Sequence, residues 1–215
     1  MTAASKPTRD DVTDGAVGAS WKASPEGAEY DAVRLRLVEA AEEIVREDGV
    51  GALRLDSVAE RSGLHRSSVY RYFDSKEALL TAVVVQATMR MGLQVIAEIG
   101  DGAGPQELLV EGITGALAAI ASDPLHRSLM SPSASEAMSR ITGRAFREGT
   151  RPLIEPMFAA ATDRGILRDG VTADDAYRWL QIVSSGLLRS PHVVSSEDDL
   201  RALLELMLVP ALIAD

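Results

Sequence analysis

An all-α chain is predicted: an N-terminal three-helix helix-turn-helix unit joined to a larger helical domain, about nine helices in all. Three observations carry this expectation. Apolar residues recur at helical spacing through most of the 215 residues. Glycines and capping residues fall at the ends of those runs. No run alternates apolar and polar residues as a half-buried strand would, and no internal repeat is present.

The elements follow in order. Residues 1–29 are rich in Gly, Ala, Ser, Asp and Pro without a period, and read as a mobile arm. From Tyr30 the pattern changes: Val33, Leu37, Ala40, Ala41, Ile44 and Val45 fall at i, i+4, i+7, i+8, i+11 and i+12. That is an amphipathic helix, stopped by Gly49. Leu55, Val58 and Ala59 mark a short second helix ending near Ser62-Gly63, and a third runs from about His65 to Tyr72. Asp74-Ser75 offers N-caps for a fourth helix reaching about Ile99, with Glu77 near its positive end.

Asp101 to Pro105 is a loop, and helical stretches follow near 105–122, 124–130, 134–164, 172–189 and 196–213. Thr172 with Asp175, and Ser196 with Asp199, have the spacing of an N-cap and an acid at the third helical position. Pro152 and Pro156 are expected to kink the long helix, and Pro210 the last one. The domains are therefore 30–77, a helix-turn-helix, and 78–215.

Composition limits the function. Hydrophobic residues at 46% with 25% charged fit a globular core, and the net charge of −10 argues against a general nucleic-acid coat protein. Charge is uneven, however: residues 61–76 carry Arg61, Arg66, Arg71 and Lys76 against the single acid Asp74, a local +3. Local potential decides whether a phosphate backbone docks. Without cysteine there is no disulfide, thiolate catalysis or cysteine-based zinc site, and a reducing cytoplasm is compatible. The N-terminus lacks the apolar stretch of a signal peptide. The low-charge segment Ala78 to Ala97 holds Arg90, Gln86, Gln94 and two threonines, so a buried helix is expected there and no membrane contact.

On the third helix Val69 and Phe73 face inward with Leu64. Arg66 and Tyr70 share one outer ridge, Ser67 and Arg71 the next. Arginine reads guanine O6 and N7 with two hydrogen bonds, and hydroxyls suit phosphates and base edges. The alternative is a solvated face with incidental arginines.

The run Leu55-Asp-Ser-Val-Ala-Glu-Arg-Ser-Gly63, then Ser68-Val-Tyr-Arg-Tyr-Phe73, then Ser75-Lys-Glu-Ala-Leu-Leu80 resembles the DNA-binding domain of tetracycline-repressor (TetR) family regulators, over Asp31 to Glu77. The ordered motifs Ala-Glu-x-x-Gly, Tyr-x-x-Phe and Ser-Lys-Glu carry the resemblance. It implies that Tyr70 and Tyr72 contact the DNA backbone and that Lys76 holds a phosphate. It also implies that Arg66, Ser67 and Ser68 face bases or adjacent phosphates. His65 stands where the family places a hydroxyl cap, Tyr72 where it often has histidine, and Arg54 where a hydroxyl often caps the second helix. Arg54 would add a phosphate contact. The further implications are a two-fold homodimer on a palindromic operator, no cofactor or metal, and a small-molecule effector whose binding shifts the fourth helix.

A ligand pocket among the later helices is expected to use Met89, Leu93, Leu109, Ile113, Leu117, Phe146, Met157, Phe158 and Trp179, with ordinary core as the alternative for each. Its aliphatic and methionine character suits an apolar effector. The last two helices show more than one apolar face, which a second copy would cover. An enzyme is the rival class, as is a small-molecule-binding helical protein without operator binding. No Gly-x-Ser-x-Gly, His-Glu-x-x-His or Gly-x-x-x-x-Gly-Lys sequence is present, and His65, His126 and His192 lack metal-ligand spacing. His126 and His192 read as surface residues.

Overall fold

The computed structural model describes residues 25–129 and 136–214. Its helices are α1 (Pro25–Asp48), α2 (Leu55–Ser62), α3 (Arg66–Tyr72), α4 (Lys76–Ile99), α5 (Pro105–Ser122), α6 (Pro124–Leu129), α7 (Glu136–Asp163) and α8 (Ala173–Arg189). A last rod begins as α9 (Glu197–Leu203), passes through a π-helical stretch (Leu204–Leu208) and ends as α10 (Val209–Leu212). Among the described residues there is no strand, only an isolated bridge between Leu167 and Ile213. The chain is all-α, as expected. Residues 1–24 of the expected arm lie outside the described residues. Residues 25–29 are not arm but the first turns of α1. Gly27-Ala28-Glu29 carries no apolar period, so periodicity alone could not place it in a helix.

Local chemistry explains the boundaries. Gly63 has φ 69°, and Leu64 N–H returns to the Ala59 carbonyl, so the turn between α2 and α3 needs a residue at ease in the left-handed region. Ser75 caps α4 by accepting from Ala78 N–H. Thr172 and Asp175 form a full capping box on α8, and Ser196 caps α9 through Asp199 N–H. Pro210 lacks an N–H and crowds the carbonyl four residues back, and the chain just before it widens: Val209 N–H bonds the Leu204 carbonyl.

Two buried clusters organise the molecule. The first joins Leu37, Ala41 and Ile44 of α1 to Val58, Val69 and Phe73, then to Leu79, Leu80 and Val83 of α4 and Leu125 and Leu129 of α6. The first half of α4 therefore packs as part of the helix-turn-helix. The second cluster gathers Leu109, Val110 and Ile113 with Phe158, Tyr177, Leu180, Leu204 and Leu212. α4 is long and apolar enough to cross a membrane by length and composition, yet half of that stretch is buried by its neighbours.

α4 and α7 approach closely at Gly149. A Cβ there would lie 2.8 Å from the Val85 carbonyl oxygen and 3.0 Å from Thr88 Cβ. Gly149→Ala should gain roughly 0.5–1 kcal/mol of helix propensity but lose about 1–3 kcal/mol to overpacking. The net expectation is a lower melting temperature by calorimetry. An unchanged or higher value would contradict backbone contact at this position.

Candidate nucleic-acid interface and ligand cavity

α3 is held from beneath by Val69 and Phe73, both buried, with Leu64 half-buried. Its other face is solvent-facing: Arg66, Ser67, Tyr70 and Arg71 are exposed, Ser68 half-buried. His65 is the N-cap. Its Nδ1 accepts from Ser67 N–H at 3.3 Å and lies 2.8 Å from Ser67 Oγ, so histidine occupies the cap position in place of a hydroxyl. Arg66 is steered on both sides, by Asp56 of α2 at 2.8 Å and by the Tyr70 hydroxyl at 3.3 Å. Those two partners, the hydroxyl first, raise the guanidinium pKa.

One cation of the basic segment differs from its sequence reading. Arg61 reaches back to α1, pairing with Glu47 at 2.8 Å and Glu43 at 3.5 Å, so it braces the fold and leaves the local +3 smaller at the surface. Lys76 is half-buried and donates to the Val50 carbonyl at 2.9 Å, tying the start of α4 to the turn after α1. An ammonium has three donors, so phosphate contact stays open to it. Arg54 is exposed at the start of α2 and makes no side-chain cap. Tyr72 is half-buried against Tyr30, ring centroids 4.6 Å apart, with the Arg71 guanidinium 3.4 Å from its hydroxyl. Asp56 as the partner of Arg66 was legible only as a helix-end acid; its pairing depends on how α2 and α3 cross.

The larger domain contains an apolar cavity of about 350 Å3 among α4, α5, α7 and α8. Leu109, Ile113, Leu117, Phe146, Met157 and Phe158 line it, joined by Met91, Val95, Ile96, Leu153 and Ile154. Its polar lining is Thr150, Gln181, Ser184 and Arg164. Met89 and Leu93 do not reach it. They face a separate groove shared with Arg34, Leu35 and Glu148 on the other side of α4. Trp179 points to solvent from α8. The cause is common to all three: helices apolar on several sides do not reveal which side faces the cavity. The register Met91–Val95–Ile99, at i, i+4 and i+8, is the sequence signal of the side of α4 that lines the cavity.

The family model for bacterial regulatory proteins, tetR family, matches residues 37–83. An HTH-type transcriptional regulator of Mycobacterium tuberculosis is 28% identical over 175 residues, covering 81% of this chain and 83% of its own. These findings support a TetR-family regulator, with residues 37–83 as the matched segment. They favour a DNA-binding transcriptional regulator over the enzyme alternative. Two solved structures share the fold. The TetR-family repressor QsdR of R. erythropolis matches with TM-score 0.56 and 16% identity, over 85% of this chain and 95% of QsdR. FadR from Bacillus subtilis, in complex with stearoyl-CoA, matches with TM-score 0.53 and 18% identity, over 82% and 98%.

A polar chain of contacts connects the helix-turn-helix to the larger domain. Glu42 on α1, nearly buried, accepts from Arg46 and from Arg90 of α4. Arg46 also reaches Asp123, just before α6, at 2.6 Å. Asp123 bonds His126 Nδ1, and His126 Nε2 lies 3.3 Å from Thr88 Oγ1 of α4. His126 is thus not a surface histidine but 2% exposed, placed between α4 and α6. Burial pushes the Asp123 pKa up, but hydrogen bonds from Arg46 and His126 outweigh it and hold the carboxyl below its ordinary range. The helices that frame the cavity and the helices that present α3 therefore share α4 by backbone and this network by side chain.

Proposed function

We propose that this TetR-family regulator is a cytoplasmic repressor that binds a palindromic operator as a homodimer and is released by a small, mainly apolar effector. Residues 30–77 would dock DNA and 78–215 would bind the effector and dimerise. Arg66, Ser67, Ser68 and Tyr70 would meet base edges and adjacent phosphates. Arg54, Arg71, Tyr72 and Lys76 would meet the backbone, and His65 would hold the start of the reading helix. The observation that carries the reading is the placement of the cavity against α4, the helix whose first turn is fastened to the helix-turn-helix through Lys76 and Val50. A ligand wedged beside Met91, Val95 and Ile96 bears on the far end of that rod, and helix shifts of this kind switch proteins between states.

The dimer reading rests on exposed apolar residues of α8 and the last rod: Trp179, Ile182, Leu203, Leu206 and Met207. Large apolar residues left exposed along these two elements suit a binding face. A second copy related by a two-fold axis would cover it and set two α3 helices about 34–36 Å apart, one turn of DNA.

Gly112 supplies the test of the cavity. It lines the cavity, and a Cβ built on it meets nothing within 4 Å. Gly112→Leu should fold, dimerise and bind operator as the parent does, because the new side chain enters empty space. It should also abolish release by apolar compounds in an anisotropy titration. A variant released as readily as the parent would remove the cavity from the mechanism.

A further inference from the structure

Resting on the apolar-effector reading above, we propose that the effector is an aliphatic molecule carrying an anionic head, and that Arg164 at the cavity rim receives that head.

The shape comes first. The cavity wall follows α7 from Phe146 to Arg164, nineteen residues and hence about 27 Å of helix. It follows α5 from Pro105 to Ile120. The wall along both helices is apolar at nearly every position, which suits an aliphatic body.

The charge comes second. Arg164 is the one ionisable residue on the wall. Its neighbours on α7, Arg144 and Arg151, are each paired with a glutamate one turn further on. No carboxylate among the described residues lies within ion-pair distance of Arg164. Its backbone is anchored: Arg164 N–H closes the last turn of α7 on the Ala160 carbonyl, and Gly165, at φ 66°, turns the chain back. The other polar wall groups are partly engaged with each other, since Gln181 donates to Thr150 Oγ1 at 3.4 Å and Thr150 donates to the Phe146 carbonyl. An exposed guanidinium on the wall of an apolar cavity, without a counter-ion among the described residues, matches a carboxylate or phosphate on the end of an aliphatic chain.

Two sources supply that chemistry, a free fatty acid and the phosphates of a thioester carrier. The experiment titrates full-length dimer with dodecanoate, dodecanoyl-CoA and neutral dodecanol below their micellar concentrations. It reads binding by calorimetry and operator release by anisotropy. Dodecanoate or dodecanoyl-CoA should bind about tenfold or more tightly than dodecanol, and the tighter of the two names the source. Arg164→Gln should erase that preference while leaving dodecanol binding unchanged, and Arg164→Lys should keep most of it. Equal binding of the charged and neutral chains, or a preference that survives Arg164→Gln, overturns the proposal for Arg164. In that outcome operator release by dodecanol, lost in Gly112→Leu, would still uphold an apolar effector. If no chain binds or releases DNA, both readings fall together.

Discussion

Replacing Arg66 and Tyr70 together with alanine is expected to abolish specific operator binding while leaving the fold intact. Both side chains lie on the outer ridge of α3, and the Arg66 side chain is 62% exposed. The inner anchors Val69 and Phe73, which hold α3 to α1 and α4, are untouched. The melting temperature should therefore stay close to the parent's. The parent's Arg66 is positioned in advance by Asp56 and by Tyr70, so its loss removes a pre-oriented donor and not a freely moving one. Single base-reading contacts each contribute about ten- to a hundredfold in discrimination, and two are lost in each half-site. Specific affinity should fall by about a thousandfold or more, leaving the salt-sensitive non-specific binding common to basic surfaces. Anisotropy on DNA footprinted upstream of the regulator's own gene gives the measurement. Retained specific binding in a folded double variant would remove α3 as the reading helix.

The second large effect concerns the apolar face of α8 and the last rod. Ile182 is 60% exposed and Leu206 72%, which is costly surface for a lone protomer. Ile182→Glu with Leu206→Glu should give a monomer by light scattering, with helix content unchanged, since neither side chain contributes to the buried clusters. A monomer engages one half-site only. The second contact, made at high effective concentration in a dimer, is lost, and operator affinity should fall by about a hundred- to ten-thousandfold. A charged variant that remains dimeric would place the interface elsewhere on the molecule.

The DNA-binding half was legible because its signals are local. Apolar spacing from Val33 to Val45, the glycine turn at Gly63 and the cap at Ser75 each act within a few residues, and the observed bounds of α2, α3 and α4 lie close to those expected. The capping pairs Thr172–Asp175 and Ser196–Asp199 were readable for the same reason. Where local cues ran out, so did the reading. Gly27-Ala28-Glu29 belongs to a helix whose first residues carry no apolar period. Arg61, counted with the DNA-facing cations, turns back onto Glu43 and Glu47, a choice made by the packing of α2 on α1.

The larger domain divides along the same physical line. Composition and spacing alone establish that α4, α5, α7 and α8 are helices and that their interior is aliphatic. They also place Leu109, Ile113, Phe146 and Phe158 on faces suited to burial. They do not establish that Met89 and Leu93 look away from the cavity, that Trp179 faces solvent, or that Arg164 stands at the rim. Nor do they bring Glu42, Arg46, Asp123, His126 and Thr88 into one chain of contacts across segments far apart in sequence. Secondary structure is set by interactions a turn or two long, which a sequence displays directly. Which face of a helix borders a void, and which distant charge meets which, depends on how whole helices rotate and cross when their apolar surfaces are buried together.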